Sequence, residues 1–69
     1  MYEPDFDDLE DLIRASTRGL NPRRNLEVLI RDMRIELGLL GLQGRPTAER
    51  ERMVTLIESA ELKLSELAK

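Results

Sequence analysis

The sequence predicts an all-α protein: an antiparallel helical hairpin of two long helices preceded by a short N-terminal helix. Three observations lead there. Aromatic residues make up 3% of the chain against 36% charged residues, and the apolar set is mostly leucine with few β-branched residues, a balance that favours helix over sheet. Leu26, Ile30, Met33, Leu37 and Leu40 follow one another at spacings of 4, 3, 4 and 3, and Met53, Ile57, Ala60, Leu64 and Leu67 repeat the pattern. That is a heptad seam in each of two arms. Between the arms stands Gly44-Arg45-Pro46, a tight turn.

Each element has a start and a stop. Asp5 is the expected N-cap of the first helix, with Asp7 and Asp8 in its first turn, where carboxylates meet the positive end of the macrodipole. This helix is expected over about 5–18, stopping at Gly19. Asn21 followed by Pro22 reads as an N-cap and a first-turn proline. The second helix is expected over about 22–43 and the third, capped by Thr47, over about 47–68. Each long helix is then roughly 31 Å in length at 1.5 Å per residue. Equal arms and a short connection make them an antiparallel pair, placing Leu40 near Met53 and Leu26 near Leu67.

Size makes such a domain marginal. A single domain of 69 residues buries only about 60% of its unfolded surface. The chain has no Cys and no His, which removes disulfides, thiolate or imidazole metal ligands, and thiol or imidazole catalysis. Stability is then expected to come from burying surface against another chain.

The periodicity names that surface. With the seams facing inward, Val28, Ile35 and Leu42 recur every seven residues on the opposite side of the second helix, with Leu39 beside them. Leu62 takes the equivalent outward place on the third helix. A solvated hairpin would carry charge there, and a bare stripe is an aggregation liability. Burying four such side chains contributes on the order of 6–10 kcal/mol before ordering costs. Two covers are open: the first helix, folded back with Phe6, Leu9 and Ile13 on one face and Leu12 beside it, or another protein. Gly38 and Gly41, inside the second helix, admit a close neighbour or mark a frayed last turn.

The segment Tyr2-Glu3-Pro4-Asp5-Phe6-Asp7-Asp8-Leu9 holds both aromatics. Its carboxylates read as helix-start chemistry, and Phe6 as a core or interface anchor. No catalytic set, metal site or cofactor-binding motif is expected: every carboxylate is accounted for by a helix start or a solvated face, and there is no calcium or phosphate loop. The formal net charge of −3 gives no general attraction to nucleic acid or anionic membrane. No apolar run approaches the ~20 residues of a membrane span, and an acidic start is the reverse of a signal peptide, so the cytoplasm is expected. Nine of the eleven basic residues are arginine, with Arg23 and Arg24 at one end of the hairpin and Arg45, Arg50 and Arg52 at the other. A homodimeric hairpin binding RNA through these clusters is the alternative reading, although Glu49 and Glu51 interleave with the turn arginines.

A short acidic helix, a glycine break, a long helix, a Gly-Pro turn and a second long helix together resemble the small co-chaperones of the type III secretion needle subunit. Local likenesses are Leu9-Glu10-Asp11-Leu12-Ile13 with Ser16, and Leu56-Ile57-Glu58-Ser59-Ala60-Glu61 after a polar turn entering through Pro46. The resemblance implies a non-enzymatic cytoplasmic protein that binds a tetratricopeptide-type chaperone. The two together would hold one needle subunit soluble and unpolymerised, the small member mainly stabilising the chaperone. The docking residues themselves, Val28, Ile35, Leu39, Leu42 and Leu62 with Phe6, come from periodicity and not from a family motif. Through the same stripe the isolated chain can also pair with its own copy.

Overall fold

The computed structural model describes residues 5–67, and they form three α-helices with no strand among them. These are α1 (Phe6–Ser16), α2 (Pro22–Leu42) and α3 (Thr47–Leu67). Helices α2 and α3 pack mainly on each other, and α1 packs against both. The expected roles of Tyr2, Glu3 and Pro4 and the expected helical residue Ala68 lie outside the described residues.

The helix starts are made by different groups. Asp5 caps α1: its Oδ1 accepts from the Asp8 amide at 3.1 Å. Asn21 stands at the N-cap of α2 but contributes only its backbone carbonyl, which accepts from the Asn25 amide at 3.0 Å; its side chain makes no capping bond. Thr47, expected as a cap, is instead the first residue of α3. There the carbonyl of Pro46 receives the amides of Glu49 and Arg50, and the Thr47 hydroxyl accepts from Arg50.

The ends also differ from expectation in one place. Helix α1 stops at Ser16, two residues before Arg18. The Thr17 and Arg18 amides tighten onto the carbonyls three residues back, and the Thr17 hydroxyl donates to the Arg14 carbonyl at 2.7 Å. Gly19 therefore follows a turn already closed and does not terminate the helix itself. Helix α2 ends at Leu42 and is closed by a double bond pattern, Arg45 amide to Leu40 carbonyl at 3.1 Å and Gly44 amide to Gly41 carbonyl at 3.3 Å. Gly44 sits at φ +65°, the left-handed conformation this closure requires.

The core contains Leu26, Ile30, Met33 and Leu40 from α2, Met53, Leu56, Ile57 and Ala60 from α3, and Leu9 and Ile13 from α1. Leu26, Met33, Leu40 and Met53 are fully buried. Three seam residues depart from the expected pattern: Leu37 and Leu64 are half-buried at the core's edge and Leu67 is exposed. Leu26 is nonetheless fully buried, in the same core cluster as Leu9 and Ile13 of α1. Leu56, outside the heptad seam, is buried where α1 lies, next to Ile13 in the cleft between α1 and α3.

Ion pairs tie the helices together at the rim. Arg34 of α2 reaches Glu61 of α3 at 3.0 Å. Arg52 of α3 pairs with Asp7 of α1 at 3.5 Å and lies 4.9 Å over the Phe6 ring. The resulting body measures 37 × 18 × 16 Å. With helix axes roughly 8–10 Å apart, a rod of that thickness holds two helices across, and among the described residues no further helix lies over the outer side of α2.

Candidate functional site

The outer side of α2 is where the sequence placed the stripe, and α1 does not cover it. Leu42 is 86% exposed, Ile35 59%, Leu39 39% and Val28 37%. Leu62, on the outer side of α3, is 62% exposed. Helix α1 spends its apolar face elsewhere: Leu9 and Ile13 enter the core, and Phe6 packs half-buried against it under Arg52. Phe6 thus belongs to the core side of the molecule and does not join the stripe. Of the two covers the sequence left open, α1 does not close the internal one: Ile35 and Leu42 stay largely open, while Val28 and Leu39 keep a little over a third of their surface exposed.

The exposed row is more regular than four leucine-like residues. Counting Asp32 with them, Val28, Asp32, Ile35, Leu39 and Leu42 repeat the 4, 3, 4, 3 spacing of the buried seam. Helix α2 therefore carries two parallel heptad rows, one facing the core and one facing outward. Asp32 is polar and so invisible to an apolar periodicity; only the second 4-3-4-3 row gives it a place. One edge of this row has Arg24, Arg31 and Gly38 at intervals of seven, and the other has Leu29, Glu36 and Gln43.

The glycines along α2 leave open space. A Cβ added at Gly38 or Gly41 would meet no heavy atom within 4 Å beyond the helix's own turns, so no close approach inside the fold requires them. Glu36 stands out among the polar groups: its Oε2 is buried and makes no hydrogen bond. Asp32, four residues earlier, is paired with Arg31 at 3.9 Å, a long contact between adjacent residues.

The arginine clusters are engaged in pairs. At the turn, Arg45 grips Glu49 with two bonds of 2.7 and 2.9 Å. Hydrogen bonding from Arg45 lowers the Glu49 pKa; partial desolvation opposes this, and the charge attraction of Arg45 adds to it. Arg50 bonds Thr47, Arg52 pairs with Asp7, and Arg23 pairs with Glu27 at 3.5 Å. Among the described residues no cluster of three or more His, Cys, Asp or Glu could hold a metal ion. No helix among them is long and apolar enough to cross a membrane.

Comparison with protein-family models, curated proteins and solved structures found no match.

Proposed function

We infer that the protein is a non-enzymatic helical adaptor whose α2 and α3 form an antiparallel hairpin, and that the outer face of α2 docks on a larger helical partner. The observation that carries this is the row Val28, Ile35, Leu39 and Leu42, left exposed by a fold that has already spent the apolar face of its short helix on the core between α2 and α3. An apolar row of four turns on so small a chain is surface that a partner buries. The layout resembling the needle-subunit co-chaperones supplies the kind of partner: a cytoplasmic tetratricopeptide-like chaperone that, with this chain bound, keeps a filament subunit monomeric. The arginines weigh less toward RNA, because Arg23, Arg45 and Arg52 are paired with carboxylates.

Co-expression of the full chain with such a chaperone and its filament subunit tests the reading. A stoichiometric complex that is lost with Ile35→Asp, while the variant keeps its helical circular dichroism, is the expected result. Ile35 is exposed, so the charge enters water; Leu37→Asp, packed against the core, unfolds the chain in the same assay. Unchanged binding by Ile35→Asp would remove the α2 face from the mechanism. Release of the retained material by nuclease would replace the reading with the RNA-binding one.

A further inference from the structure

The outer row of α2 also says what its occupant looks like. A 4-3-4-3 row is the pattern that interlocks with another helix, knobs into holes. From Val28 to Leu42 it runs roughly 21 Å at 1.5 Å per residue, about four helical turns. Asp32 interrupts the row one turn after Val28, and Glu36 follows it at i+4 on the adjoining edge. Two carboxylates at that spacing repel each other. Asp32 has a single long contact to its neighbour Arg31, and Glu36 has a buried oxygen with no partner. Docking an apolar helix here would strip water from the exposed Asp32 and leave the buried Glu36 oxygen still without a partner.

A second copy of the chain does not resolve this. Parallel pairing of two α2 rows brings Arg31 of each copy beside Glu36 of the other but sets Asp32 against its own twin. Antiparallel pairing sets Asp32 against Ile35 or Leu42 of the other copy, according to register. We propose that the outer face of α2 receives a helix of a different protein, whose apolar row is broken by one lysine or arginine that meets Asp32 and Glu36. The same partner carries acidic residues along the edge that faces Arg24 and Arg31. The two carboxylates thereby select for a heterologous partner and against self-association. This rests on the docking reading above and adds to it the charge of the occupant.

The test uses the full chain and its own Asp32→Lys variant as the probe, since that variant presents the same row broken by a cation. Sedimentation equilibrium of wild type alone, of Asp32→Lys alone, and of the equimolar mixture is the measurement. The expected result is a 1:1 heterodimer at least tenfold tighter than either homotypic pair, abolished when Ile35→Asp is added to the probe. Homotypic wild-type dimers as tight as the mixture would overturn the proposal, because the carboxylates would then select nothing. Absence of a heterodimer, or a heterodimer that survives Ile35→Asp, would overturn it too. No chaperone is present in this experiment, so its failure is separate from failure of the co-chaperone reading: a chaperone complex that forms regardless of charge at Asp32 would leave that reading standing alone.

Discussion

The same substitution, glycine to alanine, is expected to change stability in opposite directions at two positions six residues apart on one helix and its turn. At Gly38 the backbone is ordinary α-helix and an added methyl meets nothing within 4 Å beyond the helix's own turns. Gly38→Ala therefore gains the helix-propensity difference, about 1 kcal/mol, without strain. For a domain of this size that raises Tm by about 4–8 °C. At Gly44 space is equally open, but φ is +65°. Gly44→Ala forces a side chain into the left-handed region at a cost of roughly 1–2 kcal/mol, and threatens the two bonds that close α2. Thermal unfolding followed by far-ultraviolet circular dichroism, with urea midpoints at constant slope, reads both. A destabilised Gly38→Ala variant would refute the reasoning, since it would mean that the outer side of α2 is already covered in the free chain.

Three further expectations follow from single contacts. Met33 is fully buried between the long helices, so Met33→Ala should cost about 2–5 kcal/mol and leave little cooperative unfolding in a core this small. Arg52→Ala should lower stability by about 0.5–1 kcal/mol through loss of its contact over Phe6, and a double-mutant cycle with Phe6→Leu should recover most of that as coupling. The Glu49 pKa is lowered in the folded chain by its bonds to Arg45. Its contribution to stability is therefore present above the ordinary glutamate pKa and lost as pH falls through the depressed folded value. In an NMR titration Arg45→Ala should return Glu49 toward the ordinary value, and the acid limb of unfolding should flatten.

The sequence carried the helices and most of the core, and the reason is periodicity. Leu26, Ile30, Met33, Leu40, Met53, Ile57 and Ala60 all lie where the 4-3-4-3 seams put them, because any packing of two long helices buries the same row. Leu56 was not legible that way. It lies one step off the seam and is buried because α1 settles on that flank, a choice decided by Leu9 and Ile13 meeting the groove. The outer row was legible as Val28, Ile35, Leu39 and Leu42, yet its fate was not, since a sequence does not say which side of a hairpin a short helix will take. The caps divided along chemical lines. Asp5 was readable because a carboxylate at a helix start has one favourable role. Asn21 and Thr47 have several, and there backbone carbonyls did the work instead.

Why α2 tolerates two interior glycines is best understood from its two rows. A helix that needed only to fold would gain about 1 kcal/mol from alanine at each position, and nothing inside the fold opposes the change. The docking proposed for the outer row would add a second demand at Gly38, which borders it, but not at Gly41, which does not. Gly38 occupies the edge of that row, seven residues after Arg31, where a docked helix would pass alongside the α2 backbone. A methyl there is harmless in the free chain and obstructive in a complex. On the docking proposal, the free chain gives up stability at Gly38 that a partner would restore. That argument separates stability from function at one atom: Gly38→Ala should melt higher alone and bind more weakly, whereas a glycine that merely frayed the helix would leave binding unchanged.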